Sequence, residues 1–356
     1  MANEKILVIN PGSTSTKIAL YLENVEQWKE SIDHSLEELK KYPAVFDQKD
    51  MRKSLIRSVL ESHGVAVKDL SAVVSRGGCL PPVHAGAYEV DDHMVEVLRD
   101  RPVDQHAANV GAAIALDLAR EAGVRAFIYD ALTVDEMEDI NKISGLKGIR
   151  RPARGHNLNT RAAALKYCRE NGLDYKSTNI IAVQLGGGIT INLHVGGRMV
   201  DVIMDEEGPF SPERAGGIPT YSIVKMCFSG EYTQAEMMKR LQRAGGMISY
   251  YGTADMRVVQ KMIDEGDKEA EMVFKAMGIA VAKNIAKIAV SNKGKIDVIV
   301  LTGGLAYSEL FVSIIREYVG WLAPIAVIPG ENEMIALAQG TLRVLRGEET
   351  ADFFRD

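Results

Sequence analysis

The chain has 356 residues, room for two domains, or three, at about 100–200 residues each. Hydrophobic residues make up 46% and charged residues 25%, the balance of a soluble globular enzyme, and no apolar run reaches the roughly 18 residues of a membrane span. The net charge of −6 argues against a protein that coats nucleic acid or an anionic membrane, so neither is expected as a partner.

The three cysteines, Cys79, Cys168 and Cys227, are odd in number and far apart. Neither a disulfide framework nor a zinc cluster is expected, and the compartment reads as reduced and cytoplasmic. The first ten residues lack the basic end, apolar stretch and cleavage site of a signal peptide.

Along the chain, Lys5 to Ile9 is an apolar strand signal that runs into Asn10-Pro11-Gly12-Ser13-Thr14-Ser15-Thr16, and a second strand follows from Lys17 to Leu22. Ser71 to Val74 reads as a strand, Ala107 to Ala122 as a helix, and Ala126 to Tyr129 as a strand ending at Asp130. Alternating strands and helices predict an α/β sheet. Gly148 to Gly155, with three arginines and Pro152, reads as a loop close to an inter-domain connection.

A second hairpin pattern spans Asn179 to Gln184, Leu185-Gly186-Gly187-Gly188, and Ile189 to His194. Laid over the first at an offset of 174 residues, it puts Gln184 on Asn10 and Gly186 on Gly12. This weak similarity suggests two related domains, each opening with a strand–glycine turn–strand unit. Glu269 to Val290 is a helical stretch whose Val273, Met277, Ala280 and Ile288 share a stripe. Ile296 to Leu301 is a strand ending in Thr302-Gly303-Gly304. A last helix starts near Glu331, with Ile335, Ala338, Leu342 and Leu345 on one face, and the charged tail Gly347 to Asp356 reads as loose.

Three glycine-centred turns, Asn10–Lys17, Gln184–Gly188 and Thr302–Leu305, each follow an apolar strand. Exposed backbone N–H groups in such turns bind phosphate oxygens, because no side chain blocks the approach. One such turn is most often an ordinary hairpin; three at strand ends point to a nucleotide. None is a Walker A loop or a Rossmann fingerprint, since Gly186-Gly187-Gly188 runs into a strand and not a helix.

The segment Asn10 to Lys17 closely resembles the first signature of the acetate/butyrate kinase family. Six further segments follow in family order: Ser75–Gly78, Tyr129–Ala131, Gly155–Asn159, Leu185–Gly188, Glu207–Gly216 and Pro329–Glu331. The block Gly208-Pro209-Phe210-Ser211-Pro212-Glu213-Arg214-Ala215-Gly216 looks specifically like butyrate kinases. The resemblance implies the actin-like ATPase/sugar kinase fold: two ribonuclease H-like α/β domains with ATP in a cleft between them. The expected domains are 1–155, completed by a C-terminal helix at about 331–356, and 156–330.

The implied reaction is transfer of the ATP γ-phosphoryl group to a short-chain carboxylic acid such as butyrate, with magnesium. Arg76 and Arg214 fall where the family has its substrate and phosphoryl arginines, and Asp130 where it has its cleft aspartate. Asn10, Gly12, Ser13, Ser15, Lys17, His156, Gly186, Gly187, Gly188, Gly303 and Gly304 are the implied nucleotide contacts. Asn10, Asp130 and either Glu331 or Glu333 are the implied magnesium-side residues, although acids at a helix start also complement its dipole.

One departure stands out. The family's second phosphate motif reads His-Leu-Gly, and here it is Gln184-Leu185-Gly186. A glutamine amide can donate a hydrogen bond to the transferring phosphoryl group, but it cannot become cationic. Gln184 is therefore carried as a catalytic residue, with a catalytically impaired, regulatory homologue as the alternative. A sugar or acetate/propionate kinase on the same fold is the other alternative. Gly77 and Gly78, small where acetate-preferring relatives are bulkier, are expected to leave room for a longer acyl tail, and a homo-oligomer is expected.

Overall fold

The apolar runs that precede the first two glycine turns become inner strands of two separate sheets in the computed structural model, which describes residues 3–356. Twelve strands form: β1 Lys5–Pro11, β2 Ser15–Leu22, β3 Val25–Asp33, β4 Ala72–Arg76, β5 Ala87–Glu89, β6 Arg125–Tyr129, β7 Ile180–Leu185, β8 Ile189–Val195, β9 Arg198–Ile203, β10 Val298–Gly303, β11 Ile325–Pro329 and β12 Asp352–Phe353. The first sheet runs β12-β5-β6-β4-β1-β2-β3 and the second β11-β10-β7-β8-β9.

Both sheets carry the same core. β1 pairs antiparallel with β2, β2 antiparallel with β3, β1 parallel with β4, and β4 parallel with β6. β7, β8, β9, β10 and β11 repeat that pattern strand for strand. The hairpin overlay made from sequence therefore coincides with a topological repeat: Asn10 and Gln184 are each the penultimate residue of the first strand of their sheet. The repeat extends further than the sequence comparison did. Arg76-Gly77-Gly78 at the end of β4 corresponds to Thr302-Gly303-Gly304 at the end of β10.

The inner strands read as unbroken apolar runs because both faces are covered. In the second sheet Ile181, Val183, Ile191 and Leu301 pack against the helix Lys268–Ala289, while Ile180, Ala182, Val298 and Val300 pack against the helix Asn157–Glu170. The long helix is started by Asp267, whose carboxylate accepts from the N–H groups of Glu269 and Ala270. Its buried stripe includes Val273, Phe274, Met277, Val281, Ile285 and Ile288; Ala280, expected on that stripe, sits half-buried at its edge.

The chain divides into two compact units, Met1–Asp135 with Asn332–Asp356, and Glu136–Glu331. The crossing thus comes at 135/136, before the expected 155. Residues after it are held by the second unit: the Glu138 N–H donates to the Val200 carbonyl, and Arg151 donates to Glu207, Asp201 and the Val202 carbonyl. The C-terminal helix, Glu333–Leu345, packs on β1, β4 and β6 of the first unit. It starts two residues later than Glu331, and its buried face is Met334, Leu337, Ala338, Thr341 and Leu342, with Ile335 and Leu345 half-buried beside it.

The tail is not loose. β12 adds in parallel to β5 as the edge strand of the first sheet, and Phe354 is buried at 3% exposure. Arg355 pairs with Asp91, and Asp356 pairs with His93 and Arg101. Charge misled the sequence reading here, because Glu349, Arg355 and Asp356 each have a partner that the fold brings to them. Phe354→Ala is expected to cost about 3 kcal/mol, the usual range for emptying a buried aromatic site. Urea denaturation checks this, and a loss under about 1 kcal/mol would return the tail to a dispensable extension.

β3 escaped the sequence reading because seven of its nine residues are exposed and it has no apolar run; it is a solvated edge strand. β9 follows a two-residue turn in which Gly196 and Gly197 both have positive φ, 62° and 78°, the hairpin geometry that favours glycine at both positions. Among the described residues, no helix is long and apolar enough to cross a membrane.

Candidate active site

In the first unit the expected site residues collect at the carboxyl ends of three adjacent parallel strands, β1, β4 and β6. Such strand ends are where open α/β sheets bind ligands. Asn10, 7% exposed, is the penultimate residue of β1 and donates from Nδ2 to Glu333 Oε2 at 2.8 Å. Arg76 ends β4 and reaches the same oxygen from its guanidinium at 3.4 Å. Glu333 lies in the first turn of the C-terminal helix, so one carboxylate ties two strand ends together. Glu331 is exposed.

Asp130 follows β6, 3% exposed, with φ of +45°. This left-handed conformation is uncommon for a non-glycine residue and costs on the order of 1 kcal/mol or more. It is held by a reciprocal pair: the Asp130 N–H donates to the Gly86 carbonyl at 3.1 Å, and the Gly86 N–H donates to Asp130 Oδ1 at 2.8 Å. The turn between β1 and β2 closes through the Gly12 N–H donating to the Ser15 carbonyl at 2.8 Å. Ser13 is exposed at its tip, Ser15 and Gly12 are half-buried, and Lys17 is the cross-strand partner of Asn10.

Gly77 and Gly78 do not open space for a ligand. A Cβ on Gly77 would lie 2.6 Å from Ala131 Cα, and one on Gly78 would lie 2.8 Å from Asn109 Cα. The missing side chains are replaced by the chain's own backbone, which lets the residue after Asp130 and the start of the helix Asn109–Ala122 close on the end of β4. The expected link from these glycines to acyl length is thereby corrected.

Sequence reasoning missed His106, which stands beside Arg76. The Ala108 N–H donates to His106 Nδ1 at 3.0 Å, so the neutral ring carries its proton on Nε2. Burial, then the Arg76 charge, hold the imidazole below its ordinary pKa. A histidine in a Gln-His-Ala-Ala stretch has no local pattern that announces a site.

In the second unit Gln184 is the penultimate residue of β7, at 7% exposure. Asn159 Nδ2 donates to Gln184 Oε1 at 2.5 Å, with longer approaches of 3.5 Å to Thr302 Oγ1 and to the Gly330 carbonyl. With its oxygen taken, Gln184 turns its amide nitrogen toward the glycines: Nε2 would lie 3.3 Å from a Cβ on Gly186 and 2.9 Å from one on Gly303. Gly303 has φ of +91° and exchanges N–H and carbonyl bonds with Gly330 at 3.2 and 3.0 Å. Gly304 is exposed and faces open space.

Arg214 joins this group. Its guanidinium covers Gly188, where a Cβ would lie 2.9 Å from Cζ, and it pairs with Asp205. Glu213 covers Gly187 in the same way, and the Gly187 carbonyl accepts from the Glu213 N–H at 3.0 Å and from Ser211 Oγ at 2.6 Å. The glycines of the loop are therefore required by the two side chains stacked on them. His156 stands at the start of its helix and bonds Thr190 Oγ1 through Nδ1 at 3.1 Å; Thr190 is the cross-strand partner of Gln184.

Two features show what these groups can bind. The Nε atoms of Arg76 and Arg214 are buried and have no hydrogen-bond partner among the described residues. Buried donors of this kind are rare unless a ligand satisfies them, and a guanidinium calls for an oxyanion. Burial, and then the charge of Arg243, lower the Arg214 pKa.

The donor set fits a nucleotide-borne magnesium ion. Among the described residues no group of three His, Cys, Asp or Glu side chains is placed to hold a metal. A magnesium that rides on phosphate oxygens and water needs only one or two protein carboxylates; Glu333, with the Asn10 amide beside it, supplies one.

The acetokinase family model matches residues 156–321. A probable butyrate kinase 2 of Caldanaerobacter subterraneus subsp. tengcongensis is 46% identical over 351 residues, which cover 98% of this chain and 99% of that protein. Among solved structures, Porphyromonas gingivalis acetate kinase superposes with a TM-score of 0.78 at 17% identity, covering 96% of this chain and 100% of the other. A propionate kinase from Francisella tularensis superposes with a TM-score of 0.72 at 18% identity, covering 95% and 98%. These likenesses identify the fold as the actin-like ATPase fold of two ribonuclease H-like domains.

Proposed function

The chain belongs to the acetokinase family and is a kinase, and from that premise we propose that it makes butyryl phosphate or a close homologue from ATP and a short-chain carboxylate, with magnesium. Membership of a kinase family implies ATP and ADP as the nucleotides. The choice of butyrate rests on the 46% identical relative. The observation that carries the chemistry is the pair of buried, unpartnered arginine Nε–H donors at Arg76 and Arg214.

A carboxylic acid with a pKa of about 4–5 is already ionised at neutral pH, so its oxygen attacks without a general base. The barrier to overcome is the meeting of two anions. Arg76 takes the substrate carboxylate. Arg214 and the Gln184 amide bind the transferring phosphoryl group, on which charge is spread in a loose transition state. Glu333 with Asn10 would hold magnesium, with Asp130 to orient its water, and the ion would supply positive charge against the nucleotide phosphates.

The remaining nucleotide contacts are backbone ones. The turn Gly12–Ser15, with Ser13 and Ser15 hydroxyls and Lys17, and the loop Gly186–Gly188 receive phosphate oxygens, with His156 beside the latter. Gly303 and Gly304 give the nucleotide close access to the end of β10. A sugar kinase would need a carboxylate base to deprotonate a hydroxyl; two arginines with free donor directions suit a carboxylate substrate better.

Hydroxylamine trapping of the acyl phosphate across a series of acids tests this. Magnesium- and ATP-dependent hydroxamate is expected, with four- and five-carbon acids preferred over acetate. Each additional buried methylene contributes only about 0.8 kcal/mol, so the preference is graded. Protein that binds ATP and phosphorylates no carboxylate would put the non-catalytic homologue in place of the enzyme.

A further inference from the structure

We infer that Arg52 is a positioning residue for nucleotide phosphates: a buried cation that clamps the Gly12–Ser15 turn from behind so that its N–H groups face an anion. This rests on the ATP-binding role assigned above to that turn. Arg52 lies on the helix Lys49–Ser62, is 0% exposed, and is among the largest fully buried side chains of the chain.

Its guanidinium donates to the Ser15 carbonyl at 3.0 Å and to Thr16 Oγ1 at 2.8 Å, with a longer contact of 3.5 Å to the Ser13 carbonyl. Its other bonds go to Gln48 Oε1 at 3.2 and 2.9 Å. The Thr14 carbonyl is held on its own by the His34 N–H at 2.8 Å. Three successive carbonyls of the turn are thus engaged by protein donors.

A trans peptide points its N–H opposite to its carbonyl. Fixing the carbonyls of Ser13 and Thr14 therefore directs the N–H groups of Thr14 and Ser15 the other way. That is the geometry of an anion-binding turn. The arrangement accounts for both surfaces of the turn: a buried, fully bonded back and an exposed tip at Ser13 and Thr14.

Charge gives the second argument. Every hydrogen-bond partner of Arg52 is a neutral oxygen, and among the described residues no carboxylate pairs with it. Burial pushes its guanidinium down to about 10, which leaves it cationic at neutral pH. The neighbouring His34 is held below its ordinary pKa, by burial first and then by the Arg52 charge, and an imidazole in either protonation state offers Arg52 no negative charge. An uncompensated buried cation is costly. An anion seated on the far side of the turn repays that cost, and repays more of it the more charge it carries.

The test is calorimetric binding of ATP, ADP and AMP, with magnesium and without any carboxylate, to the full-length protein and to Arg52→Met. Loss of the buried charge is expected to weaken ATP about tenfold, ADP less, and AMP by no more than about twofold. Equal losses for the three nucleotides, or none in a folded variant, would overturn the inference, since a merely structural arginine has no reason to grade its effect by phosphate number. Should Arg52→Met not fold, Arg52→Lys is read instead. Lysine keeps the charge but not the two-armed clamp, so kcat should fall about tenfold while ATP affinity stays within about threefold; wild-type kcat in that variant overturns the inference too. Binding is measured without substrate, so a protein that phosphorylates no carboxylate yet shows the graded loss refutes the proposed reaction and leaves Arg52 in its role.

Discussion

Arg76→Ala and Arg214→Ala are each expected to lower kcat/KM by about 100-fold or more, the loss seen when a preorganised donor to transition-state charge is removed. The structure gives the physical reason. Each guanidinium is already anchored on one side, Arg76 by Glu333 and Arg214 by Asp205, and each keeps a buried Nε–H without a protein acceptor. The anchored arm fixes the direction of the unsatisfied one, so no reorganisation is needed when charge develops.

Lysine should restore little at either position. A lysine has no Nε–H beside a second arm, so it can keep the ion pair or reach the ligand but not do both. Arg214→Lys carries an additional penalty, because the planar guanidinium is what covers Gly188. Steady-state kinetics on the four variants decide the matter. Alanine variants with near-normal kcat/KM would remove both arginines from the site, and full rescue by lysine would mean that net charge alone matters.

Gln184→Ala is expected to lower kcat by on the order of 10²-fold, the usual result of deleting one transition-state donor. Affinity for ATP should change little, because the bond strengthens only in the transition state. Alanine also removes the acceptor of the 2.5 Å bond from Asn159 Nδ2, so a stability loss of about 1 kcal/mol should accompany the rate loss.

Gln184→Glu separates the two effects. It keeps the oxygen that Asn159 donates to and replaces the amide nitrogen with a second carboxylate oxygen. The melting temperature should hold while kcat falls at least as far as in the alanine variant. Gln184→His should keep or raise kcat, since one ring nitrogen can accept from Asn159 and the other can donate. If the alanine variant loses stability but keeps kcat within a few-fold, Gln184 serves only to satisfy Asn159, and its catalytic role falls.

Much of this protein can be read from local sequence. The apolar runs before Asn10 and Gln184 determined two inner strands, because strands buried on both faces need unbroken apolar side chains. The glycine turns after those strands were legible as well. The helix Lys268–Ala289 was legible from its 3.6-residue stripe. The family motifs supplied Arg76, Asp130, Gln184 and Arg214 by position.

What sequence could not decide is what those residues touch. Whether Glu331 or Glu333 meets Asn10 depends on where the last helix begins, and that is set by its packing on β1, β4 and β6, some 320 residues away in sequence from the strand it joins. Gly77 and Gly78 look like empty space in one dimension; only the approach of Ala131 and Asn109 shows them to be filled. Arg52 reads as one more charge on a polar helix until the fold sets it behind a turn thirty-six residues earlier. In each case the deciding contact joins segments far apart in the chain, and a close approach between backbones leaves no local pattern of hydrophobicity or charge from which it could be read.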